Sequence, residues 1–263
     1  MSGEASADAD GSAAADPSGP PLLELDRVDK HFGRVVVADA LTLRVRAGES
    51  VGIVGPNGAG KTSLFGLLSG ELSPDGGAIT YAGRPLRGLG PAERARLGVG
   101  RTYQVPRPFE HMTVFENVLT GAVYGAGLGQ GEARDAALQA LADTGLLHLA
   151  NTPAGRLTLL PRKRLEVARA LATRPRLLLL DEVAGGLTDR EVEELLVIVA
   201  AAGARGLTVL WIEHVVHALV RAVDRLLCLA GGRLIADGAP ADVLADPGVR
   251  EAYLGAGPER SGV

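Results

Sequence analysis

Short runs of apolar residues alternate along the chain with stretches in which apolar residues recur every three or four positions. The runs lie at residues 22–28, 41–45, 50–54, 78–81, 99–103, 177–180, 207–212 and 225–229. Several are apolar throughout, as in strands that are buried on both faces of a parallel sheet. The periodic stretches predict helices at 62–69, 132–145, 162–172, 189–203 and 215–222. This alternation predicts an α/β fold with a mostly parallel core sheet.

The predicted elements form one folded domain over residues 22–255 with a tail at each end. Within it, residues 115–155 carry several helical periods and no convincing strand. Together with the helix that follows, they predict a helical subdomain over about 115–172, inserted between two strands of the sheet. Residues 1–21 are expected to be a disordered acidic tail without the features of a secretory signal, and residues 256–263 a frayed end.

Composition narrows the functional classes. The chain has 263 residues, 46% hydrophobic and 22% charged, which is a globular balance, and its net charge of −4 argues against nucleic acid as a partner. Cys228 is the only cysteine, so it can form neither an internal disulfide nor a cysteine-based metal site, and it is expected in the core. The longest uncharged apolar stretch, 195–204, is far shorter than the ~20 residues that span a bilayer.

A glycine-rich motif follows the third predicted strand. The sequence GPNGAGKTS matches GxxxxGK(S/T), with a strand before it and a helix after it. Glycines let backbone N–H groups turn towards phosphates, the lysine meets the β- and γ-phosphates, and the threonine hydroxyl ligates Mg²⁺. The motif predicts a site for ATP and Mg²⁺ built from Gly55, Pro56, Asn57, Gly58, Ala59, Gly60, Lys61, Thr62 and Ser63.

A second signal is the sequence LLLLDE, which ends in Asp181 and Glu182. Four leucines predict a buried central strand, whose carboxyl end presents Asp181 to Mg²⁺ and Glu182 to an attacking water. A leucine run that ends in Asp-Glu is a common strand end when it stands alone. Because it occurs with the phosphate-binding loop, the pair predicts a hydrolytic site.

Two further polar residues, Gln104 and His214, each end a predicted strand. The order of lysine, glutamine, Asp-Glu and histidine along the chain resembles that of the ATP-binding cassette (ABC) family, and the resemblance covers residues 22–255. The resemblance implies a phosphate-loop NTPase fold with a mostly parallel core sheet, an antiparallel β subdomain and an inserted helical subdomain. Within the family, the chain resembles ATP-binding subunits of branched-chain amino acid importers. The passages that carry this likeness are GVGRTYQVPRPFEHMTVFENVLTG, RKRLEVARALATRPRLLLLDE, the IEH at His214 and DGAPADVLADPGVREAYLG.

The resemblance implies a role for three further residues. Gln104 resembles the residue that contacts Mg²⁺ and water, with a polar strand cap as the alternative. His214 resembles the switch histidine at the γ-phosphate, with a core or capping role as the alternative. Phe32, in KHFG, resembles the aromatic residue that stacks on adenine, and a core phenylalanine is the alternative.

The chain departs from the family pattern at the signature, usually LSGGQ, which donates hydrogen bonds to ATP held by a second subunit. Here residues 157–161 read LTLLP, in which Thr158 keeps a hydroxyl and Leu160 keeps an N–H, while both glycines are absent. Pro161 removes one N–H but is tolerated in the first turn of a helix. Val183 and Thr188 replace the usual proline and aspartate after Asp-Glu. We therefore expect a heterodimeric ATPase with one weakened site, with a homodimer as the alternative.

The implied function is ATP hydrolysis that powers amino-acid uptake, with Glu182, His214 and Gln104 catalytic. The implied partners are integral membrane permeases, a second ABC ATPase subunit and, indirectly, an extracytoplasmic solute-binding protein, which places the chain peripherally on the cytoplasmic side of the membrane. Three alternatives stay open: a nucleotide-binding subunit with weak hydrolysis, a non-transport ABC ATPase, and a phosphate-loop kinase. The basic cluster at 162–164 is interpreted as a solvated helix face.

Overall fold

A computed structural model of the protein describes residues 20–255. The expected terminal tails therefore lie outside the described residues, apart from Pro20 and Pro21. No helix within the described range combines the length and the apolar character that a bilayer crossing requires.

The described residues contain strands and helices in alternation. The strands are β1 Leu23–Phe32, β2 Val35–Val45, β3 Ser50–Val54, β4 Gly76–Tyr81, β5 Arg84–Pro85, β6 Val99–Arg101, β7 Leu177–Asp181, β8 Thr208–Ile212, β9 Arg225–Ala230 and β10 Arg233–Gly238. The α-helices are α1 Lys61–Ser69, α2 Pro91–Arg96, α3 Val114–Thr120, α4 Gln130–Asp143, α5 Leu159–Ala172, α6 Asp189–Ala204, α7 Val216–Leu219, α8 Pro240–Ala245 and α9 Pro247–Gly255. A π-helical turn, Gly121–Gly125, continues α3.

The strands form two sheets. The core sheet has six strands in the order β10-β9-β3-β8-β7-β6, in which all pairs are parallel except β9 with β10. The second sheet has four antiparallel strands in the order β2-β1-β4-β5. A mostly parallel core sheet and an antiparallel β subdomain are thus confirmed.

Burial explains why the central strands were predictable. Every residue of β7 and of β8 is buried, and their leucine, valine and isoleucine side chains pack against helices on both faces of the core sheet. A separate apolar cluster joins α3, α4 and α5, where Val118, Leu141 and Leu165 are fully buried. The helices therefore pack around a core of their own between β6 and β7, in the region predicted as a helical subdomain.

Three strands at the edges of the sheets differ from the sequence-based prediction. The strand β10 alternates between exposed and half-buried residues, so it has no apolar run. The strand β2 begins at Val35 rather than at residue 41, because its outer residues extend into solvent as part of a hairpin with β1. The predicted strand 99–103 ends at Arg101, so Gln104 lies in the following loop rather than at a strand end.

Candidate nucleotide-binding site

The glycine-rich motif forms a loop between β3 and α1, as its flanking pattern predicts. Gly60 caps the start of α1 with a left-handed φ of 103°, and a Cβ at this position would lie 2.1 Å from the carbonyl oxygen of Val37. Only glycine fits such a close approach of two backbone segments. The N–H groups in the first turn of α1 have no partners within the helix, so the loop is suited to an anion.

Lys61 is the first residue of α1 and is buried. Its Nζ donates to the carbonyl oxygens of Gly55 at 2.7 Å and Pro56 at 3.1 Å, so the ammonium lies across the loop. Burial lowers the pKa of Lys61 from its usual value, while the negative charge of Glu182 acts in the opposite direction. A buried cation held over a loop of N–H groups favours a polyanionic ligand.

A cavity of about 270 Å³ opens over this loop. It is lined by Val35, Val37, Asn57, Gly58, Ala59, Gly60, Lys61, Thr62, Ser63 and Glu182. The structure therefore brings most of the predicted loop residues together with the acidic residue that follows β7. Phe32 and Thr158 are not among the lining residues, whereas Val35 and Val37 of β2 are additions that the sequence did not suggest.

Glu182 lies at the centre of the candidate catalytic residues. His214 Nε2 is 2.7 Å from Glu182 Oε1, and Gln104 Nε2 donates to the other carboxylate oxygen. The backbone of Glu182 has a φ of 48°, a left-handed conformation that is strained for a residue with a side chain and that is concentrated at functional sites. Three residues that the sequence placed far apart thus form one hydrogen-bonded cluster.

Asp181, at the end of β7, tests whether the site suits Mg²⁺. Its side chain is almost fully buried, and Arg101 Nη2 donates to Oδ2 at 3.1 Å. Among the described residues Oδ1 has no hydrogen-bond partner. Burial raises the pKa of Asp181, and the charge of Arg101 opposes that shift. An orphaned carboxylate oxygen in this position suits a cation, since a buried polar atom without a partner is costly.

The metal would need ligands from the nucleotide as well. Within residues 20–255 no group of three or more His, Cys, Asp or Glu side chains is arranged to hold a metal ion alone. Thr62, at the start of α1, offers a hydroxyl on the cavity wall. Oxygen ligands from a few side chains, completed by phosphate oxygens, are the usual pattern for Mg²⁺.

Phe32 lies at the end of β1, with 48% of its surface exposed. The alternative of a core phenylalanine is therefore wrong. The ammonium of Lys30 lies 5.4 Å from the centre of its ring. The ring is free to stack on a planar ligand, and that role stays a prediction.

The altered signature begins a helix. Thr158 occupies the N-cap position of α5, and its side chain makes no capping hydrogen bond. Pro161 lies in the first turn of α5, where we expected proline to be tolerated. After β7, Val183 is fully buried, and Thr188 caps α6 by accepting a hydrogen bond from the N–H of Glu191. Threonine therefore serves the helix at the position where the family usually has aspartate.

The interpretation of residues 162–164 as a solvated helix face is wrong. Lys163 has only 4% of its surface exposed, and its Nζ donates to the carbonyl oxygens of Gln104 at 2.8 Å and Glu182 at 3.2 Å. The missed signal is spacing, because Lys163 precedes the buried Val167 and Ala170 by four and seven positions on one face of α5. Its neighbours Arg162 and Arg164 bond to Gly155 and Glu194.

Two more contacts were missed because they join distant segments. The N–H of Gly55, the first glycine of the loop, donates to the Tyr253 hydroxyl in α9 at 2.8 Å. The buried carboxylate of Glu213, next to His214, accepts from the N–H of Ala184 at 2.7 Å. Burial raises the pKa of Glu213, and its hydrogen bonds oppose that shift. Nothing in the local sequence marks either contact.

Comparison with known proteins identifies the family. Residues 38–185 match the protein-family model described as ABC transporter, and residues 233–259 match the one described as Branched-chain amino acid ATP-binding cassette transporter. The high-affinity branched-chain amino acid transport ATP-binding protein LivG of Salmonella typhimurium is 38% identical over 250 residues, which cover 89% of this chain and 98% of LivG.

Two further relatives extend the comparison. The lipopolysaccharide export system ATP-binding protein LptB of Acidithiobacillus ferridurans is 36% identical over 234 residues, covering 89% of this chain and 97% of LptB. The crystal structure of the ADP conformation of an ATP-binding cassette of an ABC transporter matches with a TM-score of 0.82 at 30% identity, covering 90% of this chain and 100% of that chain. With its phosphate-binding loop and acidic strand end, the chain belongs to the ABC transporter family and is an ATPase.

Proposed function

We propose that the chain is the ATP-binding and hydrolysing subunit of an importer that takes up branched-chain or related amino acids through membrane permeases. The observation that carries the proposal is the similarity to LivG along nearly the whole of both chains, together with the match of residues 233–259. That match covers a C-terminal region which lies beyond the catalytic strands. The likeness is therefore more specific than a shared ATPase core.

In this proposal the phosphate-binding loop holds the triphosphate of ATP. Lys61 shifts its ammonium from the loop carbonyls to the β- and γ-phosphates, where its charge offsets theirs. The N–H groups at the start of α1 add positive potential. Phe32 stacks on the adenine ring, because its side chain is exposed at the end of β1 and can reach a ligand there.

Glu182 carries out the hydrolytic step by orienting a water molecule for attack on the γ-phosphate. His214 and Gln104, both bonded to the Glu182 carboxylate here, turn to the γ-phosphate and to the metal–water side of the site. Thr62, Asp181 and Gln104 would hold Mg²⁺, which supplies positive charge against the developing phosphate charge when it is bound. Catalysis is then mainly positioning and electrostatic stabilisation.

The second nucleotide contact comes from another subunit. Thr158 and the N–H of Leu160 lie at the N-terminus of α5 and are the donors that this chain offers to ATP held by a partner. Two leucines stand where the family has glycines, so the site completed by this chain is the weaker one. We therefore favour a heterodimer with a second ABC ATPase over a homodimer.

The permease contact is proposed for the groove between α2, β6 and α5. This groove has a volume of about 360 Å³, and Tyr103 and Tyr124 contribute exposed aromatic surface to it. Exposed aromatic side chains beside a groove are typical of a protein interface. The chain would then act peripherally on the cytoplasmic side of the membrane, with an extracytoplasmic solute-binding protein delivering substrate to the permease and no nucleic acid involved.

One alternative has a specific observation in its favour. The similarity to LptB is nearly as high as that to LivG and covers a comparable share of both chains. A role in export of a lipid-linked molecule is therefore the second candidate. The match of residues 233–259 favours the amino-acid importer.

The test uses Glu182→Gln, which keeps the side-chain shape and removes the charge of the proposed catalytic residue. The tagged variant is captured with ATP from detergent-solubilised membranes, and its partners are identified by mass spectrometry, with the wild-type chain in ADP as the control. Recovery of permeases and a second ABC ATPase supports the proposal, and leucine uptake by the reconstituted complex would establish the substrate class. Recovery of soluble partners alone, or of lipid-export components, would contradict it.

A further inference from the structure

The loop that follows β6 is held by one face of α5. Three charged residues at spacing i, i+3 and i+6 on this helix contact its backbone: Lys163 bonds to the carbonyl of Gln104, Glu166 accepts from the N–H of Arg107 at 3.0 Å, and Arg169 donates to the Arg107 carbonyl at 3.0 Å. Residues at this spacing share a helix face. The signature helix and the Gln104 loop are therefore joined as one unit.

Lys163 differs from the other two because it also reaches the catalytic segment. Its ammonium bonds to the backbone carbonyl of Gln104 and to that of Glu182, while the Gln104 side chain bonds to the Glu182 carboxylate. These contacts close a ring of three residues. Lys163 holds the backbones of Gln104 and Glu182, and the bond between their side chains holds the rest of each residue.

The strain at Glu182 gives this ring a physical purpose. A left-handed conformation at a residue with a side chain costs of the order of 1–3 kcal/mol and persists only where the surroundings over-determine it. The Glu182 carbonyl accepts from Lys163 and, at 3.3 Å, from the N–H of Gly185. A charged donor is the stronger of the two, so Lys163 stabilises the conformation that directs the carboxylate towards Gln104 and His214.

Burial of the Lys163 ammonium is compensated. Desolvation lowers the pKa of this lysine, and the carboxylates of Glu213, Glu182 and Glu166 act against that shift. A lysine with 4% exposure is costly to retain unless its charge and its donors are used. The ammonium of Lys163 donates to two backbone carbonyls, those of Gln104 and Glu182, so its charge and its donors are used.

We propose that Lys163 is a positioning residue for ATP hydrolysis, which ties the signature helix to the Gln104–Glu182 pair and holds Glu182 in its reactive orientation. Within residues 20–255 the hydrogen bonds of Lys163 go to Gln104 and Glu182, and of these two only Glu182 lines the nucleotide cavity. Its effect is therefore on the rate of hydrolysis and not on the binding of ATP. This proposal rests on the ATPase activity of the family and is independent of the transported substrate.

The test is Lys163→Met in the full-length chain, which keeps the length and removes the charge and both hydrogen bonds. We expect kcat for ATP to fall about 10- to 100-fold, the range for a catalytic group displaced by about 1 Å. The dissociation constant for a fluorescent ATP analogue should change less than about twofold, because the loop around Lys61 is untouched. Backbone hydrogen exchange at residues 104–109 should become faster.

Two variants complete the design. Arg164→Met removes the adjacent charge of the same basic cluster, whose partner is Glu194 on α6, and should leave kcat and exchange unchanged. Lys163→Arg keeps the charge and the donors and should recover a large part of the lost kcat. Equal kcat in the Lys163→Met variant and the wild type, a parallel loss of kcat and ATP affinity, or the same loss in Lys163→Met and Lys163→Arg would each overturn the proposal.

Discussion

The contact between helix α9 and the phosphate-binding loop depends on one hydroxyl group, so removal of that hydroxyl tests what the contact does. Gly55 is buried, and its N–H donates to the Tyr253 hydroxyl at 2.8 Å. The carbonyl of the same glycine accepts from Lys61 at 2.7 Å. Tyr253→Phe removes the acceptor and leaves the ring in place, so it loosens Gly55 without deleting packing.

The magnitude follows from the hydrogen bond that is lost. A buried donor left without a partner costs about 1–3 kcal/mol. Tyr253 is 40% exposed, so water reaches the edge of the contact and we expect the lower end, about 1 kcal/mol. In the variant, binding of ATP must also order the loop, which the wild type already holds in place. The dissociation constant for ATP should therefore rise about three- to fivefold. The melting temperature should fall by about 2–4 °C.

The assay compares three tyrosine-to-phenylalanine variants by thermal melting and by titration with a fluorescent ATP analogue. In Tyr81→Phe, the lost group is a buried hydroxyl that donates to the carbonyl of Gly98, a residue outside the phosphate-binding loop. It should reduce stability without changing ATP affinity. Tyr124→Phe alters a side chain that is 76% exposed and should change neither. If Tyr253→Phe loses stability as Tyr81→Phe does and still binds ATP as the wild type does, the Tyr253 hydroxyl does not hold the loop for ATP.

Two further predictions concern buried carboxylates. Burial raises the pKa of Glu213 above its usual 4.5, so the folded chain holds this proton more tightly than the unfolded chain, and stability falls as the pH rises through the folded pKa. Glu213→Gln removes the charge that forms at neutral pH, so this variant should melt at a higher temperature than the wild type there. Below about pH 4.5 calorimetry should show no difference, and a constant difference across the pH range would contradict this. Asp181→Asn keeps the shape beside Arg101 and removes the proposed metal ligand. The Mg²⁺ concentration for half-maximal ATPase activity should rise at least about 10-fold, and an unchanged Mg²⁺ dependence would exclude Asp181 as a ligand.

The parts of the fold that the sequence predicts are those with a local cause. The leucines before Asp181 are buried on both faces of the core sheet, so an apolar run is enough to identify β7. The turn around Gly60 requires glycine because the Val37 carbonyl approaches it closely, so the motif itself reports the geometry. Gln104 and His214 needed the family resemblance, since a single polar residue after an apolar run has many uses.

The parts that the sequence does not predict depend on contacts between distant segments. Lys163 sits in a run of three basic residues, which suggests exposure to solvent. Its spacing from Val167 places it on the buried face of α5, but its partners in the Gln104 loop are not visible in the sequence. Tyr253 is far along the chain from Gly55, and a hydroxyl that accepts one hydrogen bond leaves no pattern in the sequence. The edge strand β10 lacks an apolar run because only one of its faces is covered.

We expect that Glu182, held by Gln104 and His214, is the residue that drives the hydrolysis of ATP. Single-turnover hydrolysis of ATP by Glu182→Gln tests it most directly, with Glu132→Gln, an exposed residue of α4, as the matched control. We expect the rate for Glu182→Gln to be about 10²- to 10⁴-fold below that of the wild type, the usual range for loss of a general base. ATP affinity should be unchanged, and the control should hydrolyse at the wild-type rate. Hydrolysis by Glu182→Gln at the wild-type rate would show that Glu182 does not drive the reaction.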